Sequence, residues 1–179
     1  IGGSKISTKI EIIKNLIPKF DNIIIVGGMA NNILNHKGNQ IGNSIKEENC
    51  EKIIEEIFEI SKQHSCSINF PIDVLVGKNL NSASEAKELH EINKDDLILD
   101  IGPKTINSIQ KVIENSKTVL WNGPAGYFEN HNFANGSYSI AKAIVKKNKN
   151  KSIYSVAGGG DTIALINKIN VIKDFNFVS

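Results

Sequence analysis

The chain has 179 residues, a net charge of +2, 40% hydrophobic and 22% charged residues, which suits one large domain able to bury about 70% of its unfolded surface. So small a charge argues against nucleic acid or an anionic membrane surface as partner, and no apolar stretch approaches the ~18 residues of a membrane span. All 21 basic residues are lysine, so any bound phosphate is held by point charges and backbone amides rather than by bidentate arginine. Cys50 and Cys66, the only cysteines, fit neither a disulfide framework nor a zinc pattern and read as free thiols in a reducing compartment. His36, His64, His90 and His131 show no ligand spacing. The start at Ile1, directly on a glycine turn and without a signal-like segment, leads to the expectation of a piece cut from something longer.

Ser7 or Thr8 is expected to cap a first helix with Ile10, Ile13 and Ile17 at helical spacing, ended by Pro18 and Asp21-Asn22. Ile23 to Val26 is a β-branched run typical of a buried parallel strand. Met29 to Leu34 restarts a helix that Lys37-Gly-Asn breaks. Glu47 to Gln63 is the clearest amphipathic helix, with Ile53, Ile54, Ile57 and Phe58 on one face. Ser67 to Phe70 and Ile72 to Val76 read as short strands around Pro71, and Gly77 to Asp95 as a polar, irregular surface excursion. Leu97 to Ile101 is another buried strand, after which Pro103 stands where a helix takes its first residue. Thr118 to Trp121, Ser152 to Val156 and Phe175 to Val178 are strands, while Ser137 to Lys147 and Asp161 to Lys168 are helices. This alternation predicts one doubly wound α/β layer structure.

Five apolar runs stop at glycine before a helical pattern begins: Ile1-Gly-Gly-Ser-Lys5, Ile23-Ile-Ile-Val-Gly-Gly28, Leu97-Ile-Leu-Asp-Ile-Gly-Pro103, Trp121-Asn-Gly-Pro-Ala-Gly-Tyr-Phe-Glu129 and Val156-Ala-Gly-Gly-Gly-Asp-Thr162. Such turns let backbone N–H groups approach an anion at a helix N-terminus, and in a parallel sheet they share one edge. A nucleotide or phosphate site built from several loops is therefore expected.

In Gly158-Gly159-Gly160-Asp161-Thr162 the glycines leave no side chain between backbone and ligand. Asp161 and Thr162 then either serve a magnesium–phosphate pair, for which one carboxylate suffices, or Asp161 simply caps the helix. Glu129 suits the two hydroxyls of a ribose and Asn122 a phosphate or metal-bound water; the alternative is an ordinary turn with an exposed Glu. Lys5 and Lys9, four apart at a helix start, either project toward one anion or are solvated surface lysines. Gly27-Gly28 and Gly102-Pro103 offer flat walls for a purine ring, or are plain turns. No G-x-x-x-x-G-K-[ST], G-x-G-x-x-G or nucleophile elbow occurs. Phosphoryl transfer between ionised oxygens needs none of them, only positioning and charge neutralisation.

Seven stretches in order, Gly2-Gly-Ser-Lys-Ile-Ser-Thr-Lys9, Val26-Gly-Gly-Met-Ala-Asn31, Pro71-Ile-Asp-Val74, Asp100-Ile-Gly-Pro-Lys-Thr105, Trp121-Asn-Gly-Pro-Ala-Gly126 with Phe128-Glu129, Phe133-Ala-Asn-Gly136 and Gly158-Gly-Gly-Asp-Thr162, are similar to the carboxyl-terminal, nucleotide-binding half of phosphoglycerate kinases. The resemblance runs from Ile1 to Ser179. It implies a three-layer, doubly wound (Rossmann-like) fold with a six-stranded parallel sheet and helices on both faces. The implied reaction is reversible transfer between 1,3-bisphosphoglycerate and ADP, giving 3-phosphoglycerate and ATP with Mg2+, in a cytoplasmic, monomeric enzyme of glycolysis. By matching positions, Lys5 would stabilise the transferring phosphoryl group and Lys9 would bind nucleotide phosphate. Asp161 would hold the magnesium, with Thr162 and the Gly158, Gly159 and Gly160 amides at the phosphates. Glu129 would hold the ribose, Gly28 and Gly102 would line the adenine pocket, and Asn122 and Gly126 complete the nucleotide-binding set. Three departures stand out: the family's amino-terminal, phosphoglycerate-binding half is absent, as is the Thr-Gly-Gly-Gly turn that normally follows Ser179. Tyr127 stands where a smaller aliphatic residue is usual.

Overall fold

The computed structural model describes all of residues 1–179. Its elements in chain order are α1 (Ile10–Leu16), β1 (Asn22–Ile24), α2 (Gly28–His36), α3 (Glu51–Gln63), β2 (Ser67–Asn69), β3 (Asp73–Gly77), β4 (Glu85–Glu88), β5 (Leu97–Ile101), α4 (Pro103–Asn115), β6 (Thr118–Asn122), α5 (Asn135–Lys149), β7 (Tyr154–Gly158), α6 (Gly160–Lys168) and β8 (Phe177–Val178). Two large cores lie between sheets and helices, and a smaller one of Leu34, Ile41, Val74, Val76 and Ile92 lies at β3. Ile6, Ile13, Ile25, Met29, Ile33, Ile54 and Ile57 form one under α1 to α3. Ile101, Ile109, Trp121, Ile144, Ala157 and Leu165 belong to the other, between α4, α5, α6 and the strands β5 to β7.

The parallel pairs are β1 with β2, β6 with β7, and β7 with β8. The first residues of the chain tie these two sheets together. The Ile1 amine donates to the Ile24 carbonyl (2.7 Å), Val26 N–H donates to the Ile1 carbonyl (2.9 Å), and Gly2 N–H donates to the Asn122 carbonyl (2.8 Å).

One expectation is corrected. The strands are not all parallel members of one layer: a separate three-stranded sheet, in the order β4-β3-β5, has β3 antiparallel to both its neighbours. No α-helix separates these three strands, and parallel neighbours need a crossover of a dozen or more residues, usually helical. The stretch 77–95 is accordingly not irregular: it contains β4, whose inward residue is Lys87. That lysine is buried because its ammonium meets the fully buried Asp96 carboxylate at 2.8 Å, beside a second bond to the same carboxylate from Lys78 at 2.7 Å.

Two helix starts also differ from expectation. Helix α3 begins at Glu51 rather than Glu47, because Glu47 is engaged elsewhere: its N–H donates to Asn32 Oδ1 and its carbonyl accepts from Asn32 Nδ2. Neither Ser7 nor Thr8 caps α1, whose N-cap is Lys9. The Ser7 hydroxyl donates to Glu47 and that of Thr8 to the Lys5 carbonyl.

Candidate functional site

Four of the five glycine turns meet. Gly2 and Gly123 lie backbone to backbone, so close that a Cβ on either would strike the other's main chain, and Gly123 has φ +101°. Gly27 N–H donates to the Ala125 carbonyl (3.2 Å), and Met29 N–H to the Gly3 carbonyl (2.8 Å). Gly123 N–H donates to the hydroxyl of Thr162 at 2.7 Å. This seam brings the ends of β1, β6 and β7 together with the first residues of the chain.

The fifth turn stands apart. Gly102 follows the antiparallel strand β5 and is packed against Asp73, whose carboxylate would collide with any side chain there. The same carboxylate accepts from Lys104 N–H (2.8 Å) and Thr105 N–H (2.7 Å), capping α4. Gly102 is outside the cavity described next; the body of β5, Leu97 to Ile101, lines it instead.

Over the seam lies a cavity of about 310 Å3. Gly28, Gly126, Glu129 and Asp161 all border it, and Ser4 borders it next to Lys5. The Gly123–Glu129 loop is held in place by Tyr127 N–H donating to the Leu99 carbonyl (2.7 Å) and Ala125 N–H donating to the Ser137 hydroxyl (2.8 Å). Beneath it, Asp100 is buried and accepts from Gly136 N–H (2.7 Å) and Ile101 N–H (2.9 Å). Burial raises the Asp100 pKa to about 7 against the lowering effect of those two amides.

The charged groups at the rim are free of ion pairs. Lys5 and Asp161 are exposed, Lys9 is half-buried, and none of the three has an oppositely charged partner within 4.0 Å. Lys9 donates to the side-chain oxygen of Asn122. That asparagine lies about 3.5 Å from where side chains on Gly158 and Gly159 would begin. Gly159 (φ +89°) is the N-cap of α6, and nothing stands within 4 Å of the missing Cβ of Gly160. The start of α6 is thus an open helix N-terminus, favourable to an anion, with Asp161 at its lip and Lys9 linked to it through Asn122. Thr162 faces the other way, fully buried, with its hydroxyl on Gly123.

Ile45 also borders the cavity and was not singled out in the sequence. It is 60% exposed and stands against Gly28, where a methyl group would collide with it. The available signal was an isoleucine inside the polar run Gly42-Asn-Ser-Ile-Lys-Glu47.

A family model described as phosphoglycerate kinase matches residues 1–179. The phosphoglycerate kinases of Zymomonas mobilis and Caulobacter vibrioides are 39% and 40% identical to the chain over 181 aligned positions, which take in all of it and 46% of each relative. A phosphoglycerate kinase structure from Coxiella burnetii superposes with a TM-score of 0.94 at 34% identity, over 99% of this chain and 46% of that one. One from Pyrococcus horikoshii gives 0.78 at 26% identity, over 99% and 45%. The chain spans about half the length of the relatives it matches. Its α/β fold of parallel strands and helices, its glycine seam and these matches lead to one conclusion: the chain belongs to the phosphoglycerate kinase family.

Proposed function

We infer that this chain is the nucleotide-binding half of a phosphoglycerate kinase and that it holds ADP or ATP in the cavity above the glycine seam. One observation carries the reading: Gly28, Glu129 and Asp161 border a single cavity at the open start of α6. Gly28 and Ile45, in contact with each other, suit one wall against a flat base, Glu129 a ribose, and the N–H groups around Gly159 and Gly160 a phosphate. The paired bonds from β1 to Ile1 have the alternation of a parallel ladder. This supports one six-stranded parallel layer in which Ile1 and Gly2 bridge β1 and β6.

In the transfer, an ionised oxygen of the ADP diphosphate attacks the acyl phosphate of 1,3-bisphosphoglycerate. The bond from phosphorus to the carboxylate oxygen breaks, and 3-phosphoglycerate leaves as a carboxylate, so no protein base is required. Lys5 neutralises charge on the moving phosphoryl group, while Lys9 and the α6 amides hold the nucleotide phosphates. Mg2+ supplies further neutralisation when bound. The chain has no cluster of three or more His, Cys, Asp or Glu residues able to hold a metal ion. The lone carboxylate of Asp161 therefore fits an ion carried in by the diphosphate. The phosphoglycerate contacts belong to the other half, absent from these 179 residues, so the chain alone transfers nothing. A monomeric, cytoplasmic enzyme of glycolysis is part of the same reading.

Calorimetry separates this from a nicotinamide-binding domain. MgADP is expected to bind weakly and NAD not at all, and the same preparation is expected to show no turnover with ATP and 3-phosphoglycerate. Binding of NAD in preference to MgADP overturns the nucleotide assignment, and turnover by the isolated chain overturns the division of labour.

A further inference from the structure

Lys5 sits on a stretch without regular secondary structure, and what fixes such a stretch fixes the point from which its side chain reaches out. Residues 4 and 6 are bends and residues 7 to 9 form a turn. On the near side the Gly3 carbonyl is held by Met29 N–H, and the fully buried Ile6 side chain anchors the segment in the core. On the far side the hold comes from one residue on a different loop. The Glu47 carboxylate accepts from Ser7 N–H at 3.0 Å with one oxygen and from the Ser7 hydroxyl with the other.

Glu47 is itself gripped. Two buried asparagines of α2 spend their side chains on its loop: Asn32 bonds both the N–H and the carbonyl of Glu47 (3.2 and 2.7 Å), and Asn31 donates to the Ile45 carbonyl at 2.9 Å. At the loop's other end, Ile98 N–H of β5 donates to the Ser44 hydroxyl at 2.8 Å. Residues 44–47 are thus a strap from the cavity-lining strand β5, past Ile45 at the cavity mouth, to the Lys5 loop. The two bonds from Ser7, with the positive charge of Lys5 nearby, hold the Glu47 carboxyl below the usual carboxylate range, so it is ionised at neutral pH.

We propose that Glu47 is a positioning residue for phosphoryl transfer, fixing Lys5 over the nucleotide phosphates through its two bonds to Ser7. It touches neither substrate. It makes the location of Lys5 depend on the strap that also borders the base cavity. This rests on the role inferred for Lys5 above, so the test includes Lys5 itself.

The experiment uses the complete kinase containing this chain, with variants Lys5→Ala, Glu47→Gln and Ser7→Ala. Displacing a charge-stabilising group by about 1 Å costs roughly 10- to 100-fold in rate. Glu47→Gln is therefore expected to lower kcat about 10- to 100-fold while KM for MgADP moves less than about threefold. Ser7→Ala, which keeps the backbone bond, gives a smaller loss of the same kind. The Glu47→Gln/Ser7→Ala double variant loses no more than Glu47→Gln alone, because one linkage is being cut twice. Amide exchange in residues 5–8 rises in Glu47→Gln, with that of α3 unchanged. If Lys5→Ala cripples kcat but Glu47→Gln does not, or Glu47→Gln raises KM as much as it lowers kcat, the positioning role is wrong. If Lys5→Ala itself leaves kcat intact, the inferred role of Lys5 falls, and the positioning role with it.

Discussion

Asp161 and Thr162 are adjacent at the start of α6, and their surroundings make opposite demands on a substitution. Thr162 is fully buried and its hydroxyl accepts the Gly123 N–H. Thr162→Val keeps the shape and removes the acceptor, leaving a buried amide unsatisfied at a cost of about 1–3 kcal/mol. Asp161 is exposed and unpaired. Asp161→Asn should leave stability within about 0.5 kcal/mol of the parent yet weaken MgADP binding about tenfold, near 1.4 kcal/mol, as a charge-assisted contact is lost. Urea unfolding and calorimetry on the two variants check both halves. A destabilised Asp161→Asn with unaltered MgADP affinity would assign this carboxylate to helix capping, the other reading open in the sequence. The sequence could place both residues at a helix start because three glycines and a helical pattern mark one. It could not say which way each side chain turns, since that depends on Gly123, 39 positions away in sequence.

Elements were legible where their pattern arises locally. The β-branched run at β1, Pro103 at the first position of α4 and the glycines before α6 each encode their own geometry. What could not be read was set by partners distant in sequence. Strand β4, Glu-Ala-Lys-Glu, turns a lysine inward, and only Asp96 makes that tolerable. Leu97 to Ile101 looks the same whether its neighbour runs parallel or antiparallel, so the direction of β3 was invisible. The α6 start allows the sharpest test of whether a glycine serves the fold or a ligand. Gly160 has open space where a side chain would stand and lies within the first turn of the helix. Gly160→Ala is therefore expected to leave thermal stability unchanged or raise it by about 0.4–1 kcal/mol. If the proposed phosphate site is right, the added methyl stands in it, and MgADP affinity should drop at least about tenfold, near 1.4 kcal/mol. Equal MgADP affinities for parent and variant would remove the α6 amides from the phosphate site.

At the scale of the whole molecule, two buried aspartates, Asp96 just before β5 and Asp100 within it, give the folded state opposite responses to pH. Asp96 ties β5's approach to β3 and β4. Burial alone would raise its pKa, but hydrogen bonds from Lys78 and Lys87 and from Asn93 N–H outweigh this and hold it at about 2, against 3.8 for a free aspartate. Its contribution is complete above pH 3.8 and is lost as pH falls toward 2. The shift corresponds to at most about 2 kcal/mol, and nearer 1 because Lys78 is half exposed and screened by solvent. Asp100 pins β5 to the start of α5 under the cavity. Its folded pKa, near 7, lies above the free value of 3.8, so the folded state binds the extra proton. That contribution is complete below pH 3.8 and is lost as pH rises toward 7, by up to about 4 kcal/mol. Stability from these two groups therefore peaks near pH 4, with a small loss of about 1–2 kcal/mol below it and a larger one, up to about 4 kcal/mol, toward neutrality. Urea midpoints across about pH 2.5 to 8 for the parent, Asp96→Asn and Asp100→Asn test the assignment. Asp96→Asn should flatten only the acid limb. Asp100→Asn should be less stable at acid pH, since its amide turns an N–H toward Ile101 or Gly136, but its midpoint should no longer fall between pH 4 and 7 by the parent's amount. If Asp100→Asn keeps the parent's slope over that interval, a different group titrates there, and the carboxylate beneath the cavity is ionised throughout.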